Sequence, residues 1–138
     1  MVSKSIIEIA NIAAAKLHAK DWLFNAAAPL WSSEGLCRDG LFAERLSLYG
    51  KRVDMPRRTR VQARQIYSFV TIGRLGWDGP WRAMVSRAVD VLIGRGRHED
   101  GTFAHLFDVG GGACDMRPDL YNQEIGRASC RERVLELV

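Results

Sequence analysis

Two stretches of the chain repeat one another, and this repeat restricts the fold more than any other feature. DGLFAERLSLYGKRVDM, residues 39–55, aligns without a gap with DGTFAHLFDVGGGACDM, residues 100–116, so that position 39 falls on position 100. The identical pairs are Asp39/Asp100, Gly40/Gly101, Phe42/Phe103, Ala43/Ala104, Gly50/Gly111, Asp54/Asp115 and Met55/Met116, and the match continues at Gln62/Gln123. Self-similarity at a fixed long period predicts repeated supersecondary units.

Each repeat begins with a short apolar run, a glycine turn and a second short run, which predicts a small hairpin or a long ordered loop. A helix follows the first hairpin, with Pro56 suited to its first turn. Apolar or small residues then recur at a spacing of three to four, which predicts a buried helical face made of Ala63, Ile66, Tyr67, Val70 and Gly73.

GWDGP, residues 76–80, ends that helix, and a second helix is predicted from about residue 80 to residue 93. Its apolar positions are Trp81, Val85, Ala88, Val89 and Leu92. An earlier helix, about residues 5–27, has Ile6, Ile9, Ile12, Ala13 and Leu17 as its apolar positions. The unit is therefore a hairpin, a helix, a turn and a helix.

Helical hairpins of this size stack side by side, either as an open solenoid or as a closed ring. The chain has 138 residues, enough for an initial helix, one full unit and the start of another. Repeat arrays usually need three or more units to cover their apolar faces. The sequence thus predicts an incomplete array, with apolar surface left uncovered.

Charge and composition exclude several classes of protein. The net charge is +4, but basic residues are mixed with acidic ones and three arginines lie within positions 124–138, so nucleic-acid binding is not expected. Polar residues interrupt the apolar N-terminal stretch, which predicts neither a membrane span nor a signal peptide. Cys37, Cys114 and Cys130 have no metal-ligand spacing and are interpreted as reduced intracellular thiols.

Four segments together resemble the N-acylglucosamine 2-epimerase superfamily. The strongest is RRTRVQARQIYSF, residues 57–69, with an arginine near the start of an inner helix in a Gln-Ala-Arg context. The others are Trp31 followed by the turn at Gly40–Phe42, RLGWDGP at residues 74–80, and DGTFAHLFD with DLYNQ within residues 100–123. The resemblance covers roughly residues 22–123, about the first third of a family member.

The resemblance implies an all-α fold, here an incomplete (α/α)6 barrel of helical hairpins with short β-hairpin loops. Residues 1–123 would form its N-terminal part. It also implies a carbohydrate 2-epimerase or aldose–ketose isomerase that moves a proton at sugar C2 with two histidines as acid and base. Such an enzyme needs no metal or redox cofactor, binds a small-molecule sugar, does not bind a membrane, and is expected in the cytoplasm. A homodimer is one option for its oligomeric state, which the sequence leaves open.

Candidate site residues follow from the same resemblance. Arg64 is the expected catalytic arginine, placed to steady the charge of an enediolate. The expected substrate-binding residues are Trp31, Tyr67, Tyr121, Asn122 and Gln123. Two alternatives follow from the residue types alone: core packing for the aromatic residues, and hydrogen bonding at a helix start for the side-chain amides of Asn122 and Gln123.

A helical stripe of basic and polar residues supports the placement of Arg64. Its members are Arg57, Arg60, Arg64, Tyr67 and Thr71. Arg57 and Arg60 are expected at the surface, and a solvated basic face is the alternative interpretation of the whole stripe.

The C-terminal segment departs from the family pattern after DLYNQ. EIGRASCRERV, residues 124–134, can be back-translated into a string similar to a sequencing-library adapter, so residues 124–138 are predicted to be an artefactual tail on a truncated gene. A natural amphipathic tail helix is the alternative. The family's catalytic histidines would then lie beyond this chain, and the truncated protein is expected to be inactive.

The chain's own histidines, His18, His98 and His105, are expected to be structural or exposed. The alternative function is a helical-repeat module that binds a protein or a glycan without catalysis.

Overall fold

The computed structural model describes residues 4–123. The helices are α1 (Lys4–Trp22), a π-helical turn (Leu23–Ala27), α2 (Ala28–Ser33), α3 (Thr59–Arg74) and α4 (Trp81–Gly96). Three short strands, β1 (Arg57–Arg58), β2 (Leu106–Phe107) and β3 (Ala113–Asp115), form an antiparallel sheet in that order. The fold is mostly helical, as predicted, with a small sheet. The predictions for residues 124–138 lie outside the described residues.

The sequence repeat is confirmed in three dimensions, because the two hairpins close in the same way. Leu36 bridges Phe42 in the first hairpin, and Arg97 bridges Phe103 in the second. Gly40 and Gly101 turn each hairpin with φ of 96° and 83°, a conformation that favours glycine. Backbone bonds also correspond, since Ala43 N donates to Gly35 O at 2.8 Å and Ala104 N donates to Gly96 O at 2.7 Å.

Helices α3 and α4 pack together and supply most of the core. The predicted apolar face of α4 is confirmed, and in α3 the buried face includes Ala63, Ile66 and Val70. Tyr67 does not belong to that face, because its side chain is 59% exposed. It lies about 100° around the helix from Ile66, beside Arg64 instead. The sequence prediction of a buried Tyr67 is therefore wrong.

A glutamine joins each hairpin to the helix that follows it. Gln62 of α3 is fully buried, and its Oε1 accepts from Phe42 N at 2.6 Å while its Nε2 donates to Phe42 O at 2.8 Å. Gln123 makes the same two bonds with Phe103, at 2.6 and 2.8 Å. Each side-chain amide satisfies a backbone N–H and C=O that have left water, so it takes the place of a neighbouring strand.

A buried ion pair joins the two hairpins. The sequence prediction of a surface Arg57 is wrong, because Arg57 is only 2% exposed and forms part of β1 rather than of the helix. Its guanidinium donates to both oxygens of Asp39, at 3.0 and 2.6 Å, and to the carbonyl oxygens of Asp108 and Val109 at 2.6 and 3.2 Å. One side chain therefore crosslinks residues of the first hairpin to the turn of the second.

Helix α1 leaves apolar side chains in solvent. Ile12, Leu17 and Trp22 are all exposed, although the periodic pattern marked Ile12 and Leu17 as a packing face. Part of the apolar surface of α1 is therefore uncovered in this chain. Among the described helices, none combines the length and the apolar character required to cross a bilayer.

The substitution Gln62→Glu should destabilise the fold near neutral pH. A carboxylate cannot donate to Phe42 O, and its charge would be buried, so we expect a loss of about 3 kcal/mol in the free energy of unfolding. Burial raises the pKa of the new carboxyl above its unfolded value. Its protonated form can both donate and accept, so the loss should shrink as the pH falls towards about 4. Urea denaturation at several pH values measures both effects.

The control is Gln65→Glu, the same substitution on α3 at a position that is only half-buried. It should change the free energy of unfolding by less than about 1 kcal/mol. Equal losses in the two variants would contradict a specific role for the Gln62 amide.

Asp39→Asn should destabilise the fold by about 3 kcal/mol, because it leaves the buried Arg57 charge without its carboxylate. In the parent chain, burial raises the pKa of Asp39, but the bonds from Arg57 and from Leu41 N lower it by more, so the net shift is downward. This carboxylate therefore contributes stability above its unfolded pKa, and that contribution is lost as the pH falls through the lower folded pKa. Asp39→Asn should remove this part of the acid dependence.

Asp54→Asn provides the matched control in the same hairpin, since the Asp54 side chain is 76% exposed and approaches Arg52 only to 3.7 Å. Thermal unfolding across the acid range compares the two variants. A loss for Asp54→Asn as large as that for Asp39→Asn would exclude the buried pair as the cause.

Candidate active site

Two predicted site residues that lie far apart in sequence meet on the exposed side of α3. The Arg64 guanidinium donates a hydrogen bond to the Tyr121 hydroxyl, and its carbon lies 5.6 Å from the centroid of the Tyr121 ring. Arg64 is exposed and Tyr121 is 48% exposed. The pair thus presents a positive charge and a phenol to solvent. It can stabilise a developing negative charge and orient a hydroxyl group.

The helical turn at Leu120–Gln123 holds Tyr121 in place from both sides. Asp119 Oδ1 accepts from Asn122 N at 3.0 Å, which caps the start of this turn. Gln123 fastens its other end to Phe103 of the second hairpin. Tyr121 therefore sits on a short segment that is fixed on each side of it.

Asn122 is fully buried, beside the exposed Tyr121. Its Nδ2 lies 2.7 Å from Nδ1 of His105, and its Oδ1 has no hydrogen-bond partner among the described residues. A buried orphan acceptor is unfavourable in a finished fold. Asn122 therefore retains one unpaired polar atom, buried, in the residue that follows Tyr121.

The amide of Gln123 is already engaged, because both of its polar atoms bond to the backbone of Phe103. The equivalent Gln62 makes the same bonds in the first repeat. The geometry gives Gln123 a structural task, and its contact with a substrate stays a prediction.

The remaining two predicted residues make no described contact with the Arg64–Tyr121 pair. Trp31, on α2, is half-buried and packs against the core, and its ring closes over Gly35. Tyr67 lies on the exposed face of α3, three residues after Arg64. The structure brings Arg64 and Tyr121 into contact, and Asn122 follows Tyr121 in the chain with its own side chain buried. No described contact joins Trp31 or Tyr67 to the pair.

An open pocket of about 290 Å³ lies near this segment, lined by His105, Arg117, Pro118 and Asp119. The Arg117 side chain donates to both oxygens of Asp115, and these hydrogen bonds hold the pKa of that carboxyl at about 2. The sequence prediction placed His105 in a loop without a site role. The pattern that could have identified it is the alignment of the two repeats, in which it replaces Glu44.

Metal ligation finds no support in the part of the chain that the structure describes. No three or more His, Cys, Asp or Glu side chains there come close enough to hold an ion. His18 lies exposed on α1, and His98 has its Nε2 3.0 Å from Met116 O.

Comparison with known proteins gives two matches. The family model described as N-acylglucosamine 2-epimerase (GlcNAc 2-epimerase) matches residues 40–125. A protein named mannose-6-phosphate isomerase, from Rhizobium meliloti (strain 1021), is 38% identical over 106 residues. That alignment covers 74% of this chain and 27% of the relative, so the chain spans about a quarter of the relative's length.

Proposed function

Since this chain belongs to the N-acylglucosamine 2-epimerase family, we propose that it contributes the opening segment of an enzyme that interconverts sugars at C2. The reaction is either an epimerisation or an aldose–ketose isomerisation. The relative's name, an isomerase of a mannose derivative, supports the same class of chemistry. Both comparisons favour an enzyme over a helical-repeat module that only binds.

The contact between Arg64 and Tyr121 is the observation that carries this proposal. Removing the C2 proton from the open-chain sugar leaves an enediolate, whose negative charge develops on the carbonyl oxygen. A guanidinium held ready beside that oxygen stabilises the charge without having to reorganise during the reaction. Tyr121 fixes the direction of the guanidinium and offers its hydroxyl to a neighbouring sugar oxygen.

The acid and base that remove and return the proton belong, in this proposal, to two histidines outside this chain. Return of the proton to the opposite face of C2 gives the epimer, and its return to C1 gives the other carbonyl isomer. The chain's own residues bind and orient the sugar. No residue of the chain is assigned the proton transfer itself.

The other predicted residues take supporting places in the proposal. Asn122 keeps an unpaired, buried Oδ1 in the residue after Tyr121, and its substrate contact is part of the proposal. Trp31 and Tyr67 provide aromatic faces for the sugar ring once further units surround the site. Gln123 holds the hairpin on which Tyr121 depends. Further units beyond residue 123 would close an (α/α)6 barrel and cover the exposed apolar face of α1. A cytoplasmic homodimer remains part of the proposal.

The test uses the complete reading frame of the gene. The purified protein is incubated in D₂O with mannose, N-acetylmannosamine or cellobiose, and NMR follows deuterium incorporation at C2 of an epimer or C1 of a ketose together with product formation. We expect incorporation with at least one sugar and none with the 138-residue chain. No incorporation by the complete protein with any of these sugars would contradict the proposal.

Arg64→Gln should lower kcat/KM by about 100-fold, because the loss of one charged donor to a developing oxyanion has that order of effect. Arg74→Gln, the same substitution at the far end of α3, is the matched control and should leave kcat/KM within about 2-fold of the parent value, as expected for a change far from the site. Equal losses in the two variants would remove Arg64 from the site.

A further inference from the structure

The alignment of the two repeats relates one pair of polar side chains to another. The acidic residue comes first in one pair and second in the other. Glu44 and Arg58 of the first repeat correspond to His105 and Asp119 of the second. In the first repeat an acidic residue precedes a basic one along the chain, whereas in the second repeat a histidine precedes an acidic residue. Both pairs lie where a hairpin leads into the start of an inner helix.

The first pair holds the entrance of α3. The Glu44 side chain is only 4% exposed, and it accepts from Arg58 N at 2.9 Å and from the Arg58 guanidinium. Arg58 is the residue immediately before Thr59, where α3 begins. A side chain of the hairpin thus fixes the direction in which the chain enters the helix.

The second pair holds the segment that carries Tyr121. Asp119 Oδ1 accepts from Asn122 N at 3.0 Å, and His105 Nδ1 lies 2.7 Å from Asn122 Nδ2. In this repeat the hairpin residue His105 contacts the buried side-chain amide of Asn122. Asn122 lies three residues beyond Asp119, the position that corresponds to Arg58. Both pairs therefore fix the start of a helix, although they use different atoms.

We propose that His105 is a positioning residue: it accepts a hydrogen bond from Asn122 through Nδ1, and by anchoring that buried amide it sets Tyr121 against Arg64. An amide nitrogen can only donate, so Nδ1 must carry no proton, and the neutral imidazole holds its proton on Nε2. His105 also lines the open pocket that it shares with Arg117 and Asp119.

The bond matters because Asn122 has no alternative side-chain partner among the described residues. Its side chain is fully buried and its Oδ1 is already unpaired. Loss of the His105 acceptor would leave the whole amide without a partner, at a cost that favours its rotation towards water. Tyr121 is the adjacent residue, so its ring would move with the backbone of this short turn.

The charged groups around the imidazole come from several segments. Asp115 faces it from β3 and accepts from His105 N through its backbone oxygen at 2.8 Å. Arg117 and Asp119 line the same pocket, and Arg58 pairs with the neighbouring Leu106 across the sheet. The described charged groups on the segments packed against His105 are therefore of both signs, and the Arg58 guanidinium among them is paired with Glu44.

The first test measures the tautomer directly on the 138-residue chain. In ¹⁵N-histidine NMR under mildly alkaline conditions, His105 should show an unprotonated Nδ1 and a protonated Nε2, with His18 and His98 as internal references. Assignment comes from the signal lost in His105→Gln. A protonated Nδ1, or an average of the two tautomers, would overturn the proposal.

The second test separates the position of the hydrogen-bond acceptor at residue 105 from the size of the side chain there. His105→Asn places an acceptor oxygen near the Nδ1 position, whereas His105→Gln places its polar atoms near Nε2. We expect the Tyr121 ring resonances to keep their parent positions in His105→Asn and to shift in His105→Gln. His98→Gln, on the same hairpin, is the control and should leave them unchanged. Parent-like Tyr121 signals in both His105 variants would refute the positioning role.

Neither NMR readout depends on catalysis. This inference can therefore fail while the proposed function stands, and the proposed function can fail while this inference stands. Its consequence for catalysis rests on the proposed function. In the complete enzyme, His105→Gln should lower kcat/KM by roughly 10- to 100-fold, the order expected for a displaced contact, and His105→Asn should restore most of it. If either variant fails to fold, the tautomer of the unaltered chain decides.

Discussion

Each hairpin depends on a buried side-chain amide that takes the place of a missing strand. Phe42 and Phe103 bring a backbone N–H and C=O into the core, and Gln62 and Gln123 satisfy both groups. Burial of these phenylalanine segments would otherwise leave two polar groups unpaired in each unit. Because the glutamine belongs to the following helix, the same bonds that permit burial also fix the hairpin to that helix. The location of Tyr121 follows from this joint.

The second organising contact runs between hairpins. Arg57 binds Asp39 of the first hairpin and two carbonyl oxygens in the turn of the second, so neighbouring units are crosslinked through a charge that is itself buried. Thr59 adds a bond from its backbone N–H to His105 O at 3.1 Å. The start of α3 is therefore held by both hairpins, and Arg64 projects from a helix whose first turn cannot rotate freely.

Sequence periodicity predicted the features that depend on residue spacing, and it missed those that depend on contacts with residues distant in the sequence. The apolar face of α4 and the repeated hairpin followed from pattern alone. Tyr67 was assigned to the core because tyrosine fits an apolar period, although its direction is set by which face of α3 meets α4. Arg57 looked like a surface residue because no local pattern reveals a carboxylate 18 positions away. Arg64 and Tyr121 were each named as site residues from the family resemblance, but their contact is visible only in the structure, since no spacing rule connects them.

The paired hairpins have a consequence for how such a chain can lengthen. Gly35 and Gly96 receive the same backbone bond from their hairpins, and Gln62 and Gln123 close the same joint at the other end. A duplicated segment with these ends already contains the residues that join its hairpin to the flanking helices, so no new contacts have to evolve at its ends. Growth by whole duplicated modules is then the easy evolutionary path, and side chains between these ends, such as Glu44 and His105, are free to diverge into separate chemical roles.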